Sequence, residues 1–476
     1  MVFIDKDLAE FAVDFATKKK ANYAEARLIK TEEEGYILKN GTPESAVFSE
    51  NAGIGFRVLV KGGMAFLAIN RLNKEDIKLG VLKTIKMARV AAKTLKEPIR
   101  LSPEKTVKAN WEVKQKTKLA NISPKEKMDY LFEIEKSLKP LKSKLVSRVF
   151  VMETSEEEKY YVNSEGTKIS SKIPRIMMYY SLVGMQGKDS EMRCFPIGES
   201  GGWEIIKRWN LIKKINEEAK NLLKIIKEGQ RVKREIQDVV LSPELVGIAM
   251  HESVGHPGEA DRPMGREAAQ AGETYASPDW MGKRIGTDLV TVVDDPSVEN
   301  SYGFYEYDEE GVKAQRRVLI QNGILNGYLH NRETAAVFGI KSNGAARASA
   351  YDREPLIRMS TTFFLPGDQT FEELIEDVKK GIFIKSYTEW NIDDKRWNEK
   401  FVGCEAYRIE NGKLNGFVRR PVLEVTTKGW FSSVDGVGKK MEFISGSCGK
   451  GDPMQGVPVW MGGPFVRLRK INIGSA

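Results

Sequence analysis

The chain has 476 residues, room for two to three domains at about 150 residues each. Three Cys cannot make a disulfide framework in a chain of this length, which excludes a small secreted scaffold and favours a reducing, cytoplasmic setting. No run reaches about 18 uncharged apolar residues, and Asp5, Lys6 and Asp7 stand where a signal peptide needs its apolar stretch, so neither a membrane span nor signal-directed export is expected. Lys plus Arg is 75 against 66 Asp plus Glu, a net +9 spread among charges of both signs; this permits a nucleic-acid role without indicating one.

In chain order, Leu8, Phe11 and Phe15 recur at helical spacing and predict an amphipathic helix. Alternation from Tyr23 to Ile29, then the apolar run 53–69 broken at Lys61-Gly62-Gly63, predicts strands and a hairpin. A second helix is expected from a cap at Asn73, with Asp76 three residues on, an apolar stripe of Ile77, Val81, Met87, Ala88 and Ala91, and a stop at Pro98. Residues 146–171 read as paired strands. Ile212, Ile215, Ala219, Leu222 and Ile226 predict a helix whose basic polar face, Lys213, Lys214, Lys220, Lys224 and Lys227, is read as solvated. After Gln230 the chain is richer in Gly and in short alternating runs.

The fold class expected is α+β. Residues 1–235 form an N-terminal α/β domain of antiparallel strands and helices, in two parts (1–100 and 101–235), and residues 236–476 form a β-rich C-terminal domain. No repeat, P-loop or dinucleotide fingerprint is present, so nucleotide cofactors have no support.

The chain has only three His, at 251, 256 and 330. Ser242-Pro243-Glu244 is a helix start, a cap followed by proline and an acid in the first turn, so His251 and Glu252 fall in the last turns of a helix. The H-E-x-x-H motif of metalloproteases sets its His four apart, about 40° on the helical wheel. Here the offset is five, about 140° on an unbroken helix, too far to share one ion. Gly255, able to end a helix in a left-handed turn, and Pro257, which disfavours helical geometry at His256, predict a break at about 255 that lets His256 swing back toward His251.

A tetrahedral metal with one open position needs a third protein ligand if Glu252 serves as base. His330, Glu259, Asp261, Cys404 and Cys448 are the candidates. Cys448 lies in a glycine-rich segment read as a loop in which Gly446 and Gly449 let the backbone bend around the thiol, whereas Cys194 and Cys404 read as packing residues and His330 as a strand-to-helix junction. By these arguments Cys448 and Glu259 are equal.

The segments HESVGHPGEADR, GREAAQAGETYASPDW, residues 292–336, IRMSTTFFLPGD and SGSCGKGDPMQGVPV resemble, in order, those of the TldD/PmbA family of metallopeptidases, as does NAGIGFRVLVKGGMAFLAINRL near the N-terminus. Keeping H-E-x-x-x-H, the chain is similar to the active TldD type. The resemblance implies a zinc site of His251, His256 and Cys448 with Glu252 as general base. It implies peptide-bond hydrolysis in unstructured peptides or partly unfolded small proteins, bound by strand edges of the C-terminal half, and a heterodimer with a sister protein lacking the motif, or a homodimer. One departure is Met359-Ser360-Thr361-Thr362 where many members have Met-Thr-Asn-Thr. Arg347 and Arg358 are candidates to orient a substrate carboxylate, with a structural role the commoner outcome for such arginines. The competing readings are a non-enzymatic regulatory protein of the DNA gyrase modulator kind and a zinc amidohydrolase acting on a small metabolite.

Overall fold

The computed structural model describes residues 5–267 and 272–475; residues 268–271 of the quoted segment 265–280 lie outside them. The fold is α+β. In chain order the first part comprises α1 (Lys6–Lys18), β1 (Tyr23–Lys39), β2 (Thr42–Val60), β3 (Gly63–Ile69), α2 (Lys74–Thr94), β4 (Lys108–Glu112), α3 (Pro124–Ser137), β5 (Leu145–Asn163), β6 (Lys168–Gln186), β7 (Asp189–Ser200), α4 (Glu204–Trp209) and α5 (Leu211–Glu228). Asn73 caps α2 by accepting from the Asp76 N–H at 2.9 Å, as its sequence predicts.

The seven strands make one sheet, order β3-β2-β1-β5-β6, with β4 and β7 both on β6. All pairs are antiparallel except β4 with β6. The strands of 1–100 and 101–235 are thus hydrogen-bonded to each other, Glu25–Lys39 against Val149–Asn163. Four of these strands have 17 to 19 residues, long enough to serve two cores. One end packs Leu28, Ile54 and Phe56 against Ile77, Val81 and Ile85 of α2. The other packs Phe150, Met152 and Tyr180 against Leu131 of α3 and Ile215 and Leu222 of α5. In α1 the buried face is Leu8, Ala9, Ala12, Val13 and Ala16. Its small alanines bring the helix close to the sheet, while Phe11 and Phe15 are only half-buried, stacked on each other at the edge. Met87, expected in the stripe of α2, is exposed. On α5 Lys213, Lys220, Lys224 and Lys227 are exposed, and Lys214 lies over the Phe195 ring.

Beyond β8 (Glu235–Leu241) and α6 (Pro243–Met250) the chain builds two further sheets. A nine-stranded one contains β8 at its centre and Tyr387–Ile392 at one edge. A six-stranded one runs from Ile324–Leu325 through Thr361–Phe364 and Gln455–Gly463 to an edge strand, Glu442–Lys450. Helix α6 passes from β8 onto the last three of these strands. It is apolar almost all round, and Pro243 and the six residues from Leu245 to Met250 are buried, as expected of a helix held between layers. Gly247 makes the approach possible, since a Cβ there would lie 2.8 Å from the Gly462 backbone nitrogen.

Candidate metal centre

Ser242 caps α6 by accepting from Leu245 N–H, with Pro243 in the first turn. The helix then changes pitch. His251–Gly255 is a π-helical turn, closed by a hydrogen bond from His256 N–H to the His251 carbonyl at 3.1 Å. This corrects the expected break. His256 stays right-handed helical, at φ −60° and ψ −46°, although Pro257 follows it. An i→i+5 turn brings residues five apart onto one face, as an α-turn does for residues four apart. Gly255 is not left-handed either; it is a packing residue, for a Cβ there would meet the Met359 sulfur at 1.9 Å. The Tyr275 hydroxyl donates to the Ser253 carbonyl at 2.7 Å and braces the turn.

Cys448 also differs from expectation. It sits in a regular strand, paired with Val457, and neither Gly446 nor Gly449 has a positive φ. Gly446 shares a strand face with Cys448 and lines the cavity beside it. Fully buried Arg358 donates to the Cys448 carbonyl and, at 2.9 Å, to the Gln455 carbonyl, clamping the hairpin rather than facing a substrate.

The structure brings His251, His256 and Cys448 together, all buried, their ligand atoms within 4.8 Å of one another. The Cys448 Sγ lies 3.3 Å from His256 Nε2. The His251 and His256 rings stand edge to face with centroids 5.0 Å apart. His251 Nδ1 is buried with no hydrogen-bond partner, a cost of about 1–3 kcal/mol unless something binds it. Burial opposes ionisation of Cys448, but His256, His251 and Arg358 hold its thiol well below the ordinary range. Thiolate is the form that ligates metal. Burial likewise opposes protonation of His256, yet Cys448 and Glu259 hold it at about 9. An orphaned imidazole nitrogen, a second imidazole and a thiolate at this spacing fit a metal ion.

Glu259, the other candidate, takes a different position. It accepts from His256 Nδ1 at 3.1 Å and so presents Nε2 of that ring toward Cys448. A carboxylate behind a ligating imidazole fixes tautomer and orientation. Burial works against its charge, but Lys450, His256 and Arg262 keep it well below the usual carboxylate range. Lys450 lies 3.3 Å from it and 2.8 Å from Asp261, which places Asp261 in an ion pair outside the ligand cluster. His330 is elsewhere, bonded to Thr334 and packed on Phe338, its imidazole pushed down to about 4 by burial. Cys404 bonds the Met192 carbonyl and burial pushes its thiol up to about 12; Cys194 lies by Ser181. Thr361, at the departure from Met-Thr-Asn-Thr, bonds the Ser301 hydroxyl at 2.6 Å.

Glu252 is buried at the wall of a cavity of about 470 Å³ that His251, His256 and Cys448 also line. Arg396 pairs with its carboxylate. Arg396 has φ of 61°, a conformation costly for a side chain of this size, and its carbonyl accepts from Thr427 at 2.6 Å. Behind Glu252, burial pushes Glu399 up to about 7; the Ser253 and Thr427 hydroxyls oppose this and the Glu252 charge adds to it. Neither Arg396 nor Glu399 carries a sequence signal, because each meets the site only through tertiary packing.

The model of the PmbA/TldA metallopeptidase C-terminal domain matches residues 234–475, that of the central domain 117–224 and that of domain 1 24–92. A metalloprotease of Methanocaldococcus jannaschii is 33% identical over 94% of this chain and 96% of its own length. The chain belongs to the PmbA/TldD family. A zinc metalloprotease TldD homolog of Saccharolobus solfataricus is 31% identical over 55% of this chain and 57% of its own. The crystal structure of TldE from Thermococcus kodakarensis shares the fold over 99% of both chains, with a TM-score of 0.75 at 17% identity. These relatives support a metallopeptidase in general. Among the described residues no helix is long and apolar enough to cross a membrane.

Proposed function

We propose that the chain is a zinc peptidase that hydrolyses peptide bonds in unstructured peptides or partly unfolded small proteins. The observation that carries this reading is the convergence of His251, His256 and Cys448 on the cavity wall that also holds Glu252. Imidazoles with a thiolate favour zinc over harder divalent ions, and three protein ligands leave one position open, as in catalytic zinc sites. Zinc held there supplies Lewis acidity, polarising the scissile carbonyl and lowering the pKa of water toward about 7.

The chain's own residues do the rest. Glu252 takes the proton of the attacking water and passes it to the leaving amine. Arg396 holds the Glu252 carboxylate in one orientation, and Glu259 does the same for His256. The free edge of Glu442–Lys450, which carries Cys448, offers unpaired backbone groups to an extended peptide as an added strand. The cavity is of ligand size, too small for a folded domain. A heterodimer with a sister protein lacking the motif, or a homodimer, completes the proposal; sedimentation at twice the chain mass supports it and a stable monomer contradicts it.

The test joins elemental analysis to digestion. Cys448→Ala and His251→Ala should lose zinc and cleavage of an unfolded protein, while Cys404→Ala keeps both. Full zinc in Cys448→Ala refutes the ligand set.

A further inference from the structure

A second cavity, of about 700 Å³, adjoins the first. Pro196, Ser445, Gly446 and Ser447 line both. One wall is a face of the seven-stranded sheet and carries Arg175 of β6; Arg347 comes from the C-terminal side. Twelve arginines are buried among the described residues. Ten of them pair with a carboxylate. The two that do not are Arg175 and Arg347, and both line this cavity.

Each is fixed by a neutral partner. Arg175 Nε donates to the Tyr302 carbonyl at 3.2 Å, and Arg347 Nη1 donates to the Met359 carbonyl at 2.6 Å while its guanidinium lies 5.4 Å from the centroid of the Tyr305 ring. Burial, with Arg175 and Arg358 nearby, pushes Arg347 down to about 10. A buried charge without a counter-ion is expensive, and a like charge beside it makes it more so. Acids share the cavity but are otherwise engaged: Glu309 pairs with Arg27 and Lys159, and burial together with Glu33 raises Glu153.

Resting on the peptidase reading above, we propose that Arg175 and Arg347 form a carboxylate-binding subsite that sets substrate preference. The carboxylate is an Asp or Glu side chain or the C-terminus of the peptide. Ser445 precedes Cys448 by three residues, about 10 Å along the strand, so an extended substrate places its carboxylate about three or more residues from the cleaved bond.

The experiment measures binding, by fluorescence anisotropy, of labelled ten-residue peptides to the Glu252→Gln protein, so that turnover plays no part. One arm compares a C-terminal acid with its amide; the other moves a single Glu, against Gln, through each position. A carboxylate at one register should tighten binding at least about tenfold. Loss on amidation identifies the C-terminus, and loss at one Glu→Gln position identifies a side chain. Arg347→Gln and Arg175→Gln should each collapse that ratio toward about 1, with circular dichroism reporting their folding; if one variant unfolds, the other decides. A uniform affinity for all peptides, a preference for Lys, no binding at all, or a ratio unchanged in the variants overturns the proposal. Carboxylate-selective binding by a wild type that cleaves none of the peptides would sink the peptidase reading and leave the subsite standing.

Discussion

Glu259 hydrogen-bonds the imidazole of His256 from the side opposite Cys448, and Lys450, Arg262 and Arg358 surround it. Glu259→Gln should therefore lower metal affinity by about 10- to 100-fold in a chelator competition; unchanged affinity would remove its orienting role. Glu399 supports a pH prediction. Its folded pKa of about 7 lies above the ordinary 4.5. Between those values the folded state binds the proton that the unfolded state has lost. The stability this contributes is complete below about pH 4.5 and lost as the pH rises through about 7, a change of about 3 kcal/mol. Glu399→Gln should lack that slope in denaturant melts at pH 4 to 8, and parallel curves for variant and wild type would contradict it. At this scale His251, Glu252 and His256 were legible because they are neighbours in sequence. Glu259 was ambiguous, since spacing does not say which way a carboxylate points. Arg396, 144 residues from Glu252, was invisible.

The α6 element shows what local rules miss. Ser242-Pro243 specifies the start of the helix, and the sequence also marks its irregular end. Gly and Pro were read as a break, whereas the chain absorbs the fifth residue in a π turn. The reason is tertiary: Gly255 leaves space that Met359 fills, and Tyr275 holds a carbonyl of the turn. Gly255→Ala should cost about 1–3 kcal/mol by overpacking and weaken metal binding with it. Met359→Ala in the same chain should recover part of the loss, which a double-mutant cycle measures; strict additivity would refute the contact. The strand holding Cys448 was misread for a related reason. Its glycines serve close packing and an open cavity floor, and composition alone does not separate that use from a loop.

On the scale of the molecule, the α+β class was legible from periodicity, but the pairing of β1 with β5 was not, because sheet order is a long-range property. The N-terminal sheet bears on the segment 305–310 through buried ions: Glu309 pairs with Arg27 and Lys159, and Arg57 with Glu25 and Glu310. Glu309→Ala leaves two buried cations uncompensated and should cost about 3–5 kcal/mol in urea unfolding; a loss under about 1 kcal/mol would show the network to be dispensable. One core cluster runs from Phe150 and Met152 to α6 and Cys448, so the site depends on both parts of the chain.

The central claim is that this chain hydrolyses peptide bonds with Glu252 as base. Cleavage of an unfolded protein by wild type and by Glu252→Gln, at equal zinc content and equal stability, tests it most directly. The account predicts cleavage by the wild type and a loss of about 10²- to 10⁴-fold in the variant. Equal rates in the two proteins, or no cleavage by zinc-loaded wild type, would contradict it.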